Sequence, residues 1–273
     1  MRGPGRVLGA LLTLSFCAWG PRAARAAEPA TPEGAAGVKQ PAIDPAAVAA
    51  LGRMSAFLRA QQDFEVQSEM TTDDVLGSGQ KVEYGGTVIL KVKRPNRLRV
   101  DLASDRKNER LFYDGRTFTV FQPTVGYYAS FAAPSTLREL VDVLEQRYGV
   151  DLPLADLFRV GTDDAQLATI RGATIVGRSI VKGSPCTHYA FHQADVDWEV
   201  WIQEGAQPLP RKLVITTTSE ASRPQHASVM TWNLSPTFDE QAFVFTPPAN
   251  AQRIDFDVTS PGPATRSLKG GTP

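Results

Sequence analysis

The sequence predicts a mainly β protein with a few helices: a large curved antiparallel sheet or half-open β-barrel, covered by an N-terminal helix and a mid-chain helical insertion. Two observations predict it. Phe64-Glu65-Val66-Gln67-Ser68-Glu69-Met70 and Arg97-Leu98-Arg99-Val100-Asp101-Leu102 alternate apolar with polar side chains, the two-residue period that turns one strand face to a core or cavity and the other to water. Thr136-Leu137-Arg138-Glu139 is a capping box, and Leu137, Leu140, Val141, Leu144 and Tyr148 then recur on one helical face up to Gly149, the pattern of an amphipathic helix.

The first 26 residues read as a signal peptide. Arg2 and Arg6 form a basic start, Val7 to Trp19 an apolar run, and Ala24-Arg25-Ala26 a small-residue cleavage site, placing cleavage after Ala26 and the mature protein in the periplasm. The apolar run is shorter than the roughly 20 residues that span a bilayer, and no later segment is long and uncharged enough, so no transmembrane segment is predicted. Attachment of lipid at Cys17 competes with this reading, but bulky Phe16 precedes that cysteine. Residues 27–43 and 257–273 are rich in Ala, Pro, Gly and polar residues and are expected to be disordered, leaving 44–256 as a single domain.

Removing the signal takes Arg2, Arg6, Arg22 and Arg25 from 29 basic residues and none of the 29 acidic ones. A mildly acidic chain without a basic stripe is a poor nucleic-acid partner. Only Cys186 survives processing, which excludes an internal disulfide and leaves stability to burial.

Within the domain, Asp44-Pro45 is an N-cap followed by a first-turn proline, and Val48, Leu51, Met54, Phe57 and Leu58 share one helical face. Strands are predicted at 64–75, 81–93 with a break at Gly85-Gly86, 97–103, 109–114, 116–121 and 125–131. Asp114-Gly115 suits a type I′ hairpin turn. After the capping-box helix, a short helical piece spans Leu152 to Phe158. Strands resume at 168–182, 186–193, 197–203, 211–219, 226–235 and 242–246. Two helices can cover such a sheet, and a barrel of this strand number has room for a small apolar ligand, although a filled core is the commoner arrangement. The residues assigned to line that space are Leu90, Val100, Phe118, Tyr127, Phe131, Leu140, Leu144, Trp198 and Trp232.

Three strings are distinctive: Cys186-Thr187-His188-Tyr189-Ala190-Phe191, Asp197-Trp198-Glu199-Val200-Trp201-Ile202, and Pro208-Leu209-Pro210-Arg211-Lys212-Leu213-Val214-Ile215. With Lys93-Arg94-Pro95-Asn96-Arg97-Leu98-Arg99, Phe112-Tyr113-Asp114-Gly115 and Phe243-Val244-Phe245-Thr246-Pro247-Pro248, the chain from Asp44 to Phe256 resembles the predicted periplasmic proteins of domain-of-unknown-function family 2092. Its layout is also similar to that of the LolA/LolB-like lipoprotein-localisation superfamily. That resemblance implies an incomplete antiparallel barrel closed by helices around an apolar cavity, and binding of a lipid or acyl chain. The superfamily also holds periplasmic sensor domains, so an envelope protein partner is the alternative it implies.

Catalytic patterns are weak. Cys186, His188 and His192 share a strand face but spread over about 20 Å, too far for one metal ion. Strand neighbours two apart lie nearly 7 Å apart and parallel, which does not suit a Cys–His nucleophile pair. No nucleophile elbow, His-Glu-x-x-His helix or phosphate loop occurs. Trp198 and Trp201, three apart, face opposite sides of a regular strand, and Pro208-Leu209-Pro210 sets an extended lead into the next strand. The expectation is a non-catalytic binding protein without cofactor or metal, its partner an apolar ligand, or else a sensor or scaffold acting through protein contacts.

Overall fold

The computed structural model describes residues 42–148, 152, 154 and 167–256. The segment predicted to be a signal peptide, most of the Ala/Pro/Gly-rich segment after it, and the residues from 257 lie outside them. Helix α1 spans Pro45–Ala60, with Asp44 as its N-cap accepting a hydrogen bond from the Ala46 amide. Six strands follow: β1 (Asp63–Val75), β2 (Lys81–Lys93), β3 (Arg97–Ser104), β4 (Asn108–Tyr113), β5 (Thr117–Gln122) and β6 (Tyr127–Ala132). Helix α2 (Leu137–Val143) runs on as a π-helical turn over Leu144–Tyr148. Then come β7 (Gly172–Val181), β8 (Ser184–His192), β9 (Val196–Gln203), β10 (Pro210–Thr217), β11 (Gln225–Asn233), a 3-10 turn at Glu240–Phe243 and the two-residue β12 (Gln252–Arg253).

All twelve strands form one sheet in the order β12-β6-β5-β4-β3-β2-β1-β11-β10-β9-β8-β7. Every pairing is antiparallel except β12 on β6. The sheet is not closed: β1 and β11 join two antiparallel meanders at its middle, and its ends do not meet. It is nevertheless strongly coiled. Lys182, at the β7–β8 turn, contacts Glu69 of β1 at 2.6 Å, although four strand spacings of about 4.8 Å separate β8 from β1 in a flat sheet.

Alternation decides which side chains form the core. Val66, Leu90, Val100, Leu111 and Phe118 point to one face, here the inner face, and form the first apolar cluster with Leu137, Leu140, Val141 and Leu144 of the α2 segment. On the same face of the other meander, Tyr189, Phe191, Val200 and Ile202 meet Leu51, Met54 and Leu58 of α1. Leu213, Trp232 and Leu234 pack against both clusters. The two predicted helices thus cover the two halves of one apolar face.

Several local expectations need correction. β2 is continuous through Gly85-Gly86. There the glycine serves packing, since a β-carbon on Gly86 would lie 2.8 Å from the Ser104 β-carbon. The Asp114-Gly115 hairpin exists but is not type I′: only Gly115 has positive φ (87°), and the Asp114 carboxylate instead accepts from the amides of Arg116 and Thr117. The type I′ pattern stands at Lys182-Gly183, with φ of 45° and 79°. The strand predicted from 168 starts at Gly172. Residues 242–246 are a 3-10 turn and an irregular segment, because the chain there crosses strands instead of pairing with one. Of the helical piece expected over Leu152 to Phe158, Leu154 has a φ of 60°, outside the right-handed helix, and the others except Leu152 lie outside the described residues.

Candidate functional site

The inner face carries both apolar clusters, and α2 is placed over it by local chemistry. Thr136 caps the helix through its hydroxyl, which accepts from the Glu139 amide at 3.3 Å and donates to the Glu139 carboxylate at 2.9 Å. The Leu137 amide donates to the Pro95 carbonyl at the β2–β3 turn. The helix widens into its π-turn at Leu144, a deviation often found at functional sites. Tyr148, its last residue, stacks on Phe131 with ring centroids 4.3 Å apart.

The nine residues expected to line a ligand space distribute unevenly. Leu90, Val100, Phe118, Leu140 and Leu144 are buried together in the first cluster, with Phe131 packed against it. Trp232 lies between the clusters, its indole nitrogen donating to the Pro210 carbonyl at 2.8 Å. Trp198 packs against the second cluster and stacks on Phe191 at 4.2 Å. Tyr127 is exposed at the sheet edge beside β12. At the far end of this face the lining turns polar, where Thr72 Oγ1 contacts His226 Nδ1 at 2.8 Å and Ser228 Oγ contacts His226 Nε2 at 3.1 Å.

The outer face was not anticipated as a site and differs between the halves. Over β3–β6 it carries Phe112, Phe121 and Tyr128, and Phe245 packs on all three with centroids 5.0 to 5.4 Å away. This strap, from the 3-10 turn to β12, is anchored by Lys93 and Arg97 on Glu240 and by Arg99, which donates to the Ala242 carbonyl. It then passes the β6 edge, and Phe256 reaches the inner side against Phe131 and Tyr148. The signal lay in the strands themselves: Leu111-Phe112-Tyr113 and Phe118-Thr119-Val120-Phe121 place large apolar groups on both faces. Two shallow hollows of about 360 and 230 Å³ flank the strap, and share Arg99 and Arg110. Arg99 is already bidentate on Asp101, at 2.8 and 3.0 Å.

Over β8–β10 the outer face is polar and aromatic. Tyr189 and Phe191 point inward, as their parity requires, and His188 and His192 point outward. Each imidazole has its own carboxylate, His188 with Glu199 at 2.7 Å and His192 with Asp197 at 2.6 Å. Trp201 is stacked on His188 at 3.9 Å, with Lys212 over its other side at 4.6 Å. Burial would push the Asp197 carboxyl up, but hydrogen bonds from His192 and Arg223 outweigh it and hold the group below the usual range. Cys186, on the same strand face as the two histidines, is fully buried, and burial pushes its thiol up, away from the reactive thiolate.

The edges differ as well. β6 is capped by β12, whereas β7, among the described residues, is paired on its outer side only at Ala173, through a parallel bridge to Ile43. No helix among the described residues is long and apolar enough to cross a membrane.

A family model described as "Predicted periplasmic protein (DUF2092)" matches residues 47–257. No curated protein matches the sequence. Among solved structures, the lipoprotein LppX of Mycobacterium tuberculosis is similar at 13% identity, over 72% of this chain and 100% of that one, with a TM-score of 0.44. A chain of the Pseudomonas aeruginosa MucA/MucB complex is similar at 17% identity over 77% of this chain and 63% of that one, TM-score 0.43. A LolA superfamily protein of Nitrosomonas europaea is similar at 12% identity over 73% and 97%, TM-score 0.35. These scores are too low for anything about function to be taken from the three likenesses.

Proposed function

The chain belongs to the DUF2092 family of predicted periplasmic proteins, and on that footing we propose that it is an exported, non-catalytic binding protein for a lipid, an acyl chain or a similar apolar ligand. Residues 1–26 direct export and are removed, 27–43 are a linker, 44–256 form the binding domain and 257–273 are a tail. Intact-mass measurement should find Ala27 at the mature N-terminus. A diacylglyceryl-modified Cys17 would be the contrary result.

One observation carries the reading. The apolar inner face continues across an open sheet, through Leu213, Trp232 and Leu234, and its cover is two helices instead of a second sheet. A helix can move off such a face as a unit, so a ligand would gain by desolvation against Leu90, Val100 and Phe118 below and Leu140 and Leu144 above, with Phe131, Trp232 and Trp198 along the floor and Tyr127 at the rim.

Organic extraction of protein purified from the periplasm, followed by mass spectrometry, tests this, with stoichiometric lipid as the expected result. Tyr148→Ala loosens the end of α2 without emptying the cluster beneath it. That variant should stay folded by circular dichroism and release a fluorescent fatty-acid probe severalfold faster. An empty extract together with no probe binding by the wild-type protein would transfer preference to an envelope sensor or scaffold, a role favoured by the open β7 edge.

A further inference from the structure

We infer that β7 is a pairing surface for a second copy of this chain, joined antiparallel about a two-fold axis at Ser179. The strand lies at the end of the sheet, and its only outer pairing among the described residues is the bridge at Ala173. An unpaired edge presents a row of amide and carbonyl groups ready for another strand. Exposed apolar side chains accompany that row: Ile175, Val176 and, at 75% exposure, Ile180, the most exposed large hydrophobic residue described. The opposite edge, by contrast, is covered by the strap and β12.

The usual guards against edge pairing are missing or disarmed. Gly172–Val181 contains no proline, and its single charge is Arg178. That guanidinium is held by Glu204 of its own chain at 3.0 and 3.2 Å, and Lys182 just beyond the strand is held by Glu69. The bulge between Ile175 and Gly177 lies to one side of the proposed axis, leaving Gly177 to Val181 regular.

The strand is complementary to itself in this register. A two-fold at Ser179 sets Arg178 opposite the second copy's Ile180 and Gly177 opposite its Val181, so no charge meets a like charge. The aliphatic stem of Arg178, whose side chain is 84% exposed, then covers the exposed Ile180 of the other copy while its head stays on Glu204. A one-strand interface of this size is small and its dimer weak.

Sedimentation equilibrium of the mature protein up to submillimolar concentration should show a reversible monomer–dimer equilibrium. Ile180→Lys sets a cation across from Arg178 and should leave a monomer at every concentration, whereas Ile180→Glu sets a carboxylate there and should keep or tighten the dimer. Circular dichroism checks that both variants fold, as expected at so exposed a position. A wild-type protein that stays monomeric overturns the inference. So does an equal effect of the two substitutions, whether both abolish the dimer or neither touches it.

Discussion

On the β3–β6 side of the sheet both faces carry a cover, the inner α2 and the outer the strap through Phe243 and Phe245, and the edge is capped by β12. On the β7–β10 side only the inner face is covered, by α1; the outer face holds paired imidazoles, carboxylates and a half-buried tryptophan, and the edge is open. Strands buried on both faces supply stability, and those buried on one keep a surface with which to meet something else. The difference separates the part of the molecule that holds the fold from the part free to pair.

The sharpest way to break this comparison is to weaken each outer face in turn. Phe243 is fully buried under the first half, and Phe243→Ala should lower unfolding free energy by about 3–5 kcal/mol in urea titrations. Trp201→Ala, on the second half, removes a stack on His188 and should cost only about 1 kcal/mol. Equal losses would mean that the second outer face is as structural as the first.

Alkaline pH should address the first half through Tyr113. Tyr113 is buried there and donates to the Pro134 carbonyl at 2.6 Å. Burial, helped by the Glu139 carboxylate, pushes its hydroxyl from 10.0 up to about 12. Below pH 10 the group is protonated folded or unfolded. Between 10 and 12 only the unfolded chain gives up the proton, so stability falls as pH rises through that window. Tyr113→Phe should flatten this fall and cost about 1–2 kcal/mol at neutral pH through the orphaned carbonyl.

Acid should address the second half, more gently. Asp197 is held low by His192 and Arg223, so its contribution is present above the unfolded value near 3.9 and is lost as pH falls through the lower folded value. Asp197→Asn should remove a small part of the stability loss below pH 4, read from thermal melts. No change would assign the acid sensitivity elsewhere, for instance to Asp73, which a hydrogen bond from Lys81 also holds low.

Most of the sheet was legible because alternation reports strand and face together. Val66, Leu98 and Val100 were placed inward by parity alone, and Asp44, Thr136 and Glu139 marked both helix starts. Parity does not report how far a sheet coils, so Leu90 and Trp198 read as neighbours of one space but belong to different clusters. Nor does it tell a strand from a strap: Phe243-Val244-Phe245 has the apolar and β-branched content of a strand, but its rings pack across β3–β6 instead of extending the ladder. The open edge at β7 was illegible for a related reason, since strand order at the rim is set by the coil of the whole sheet.

The strap also has a consequence in time. Arg99 and Ala242, which it brings together, are 143 residues apart, and Phe245 must reach Phe112 and Phe121 across a comparable distance along the chain. Contacts of such high sequence separation form late, because the loop they close costs entropy before any burial compensates it. A chain that emerges from its N-terminus therefore carries an exposed patch of Phe112, Phe121 and Tyr128 until nearly its last residues arrive. Through that interval the half that ends up best protected is the one most open to aggregation, or to a chaperone.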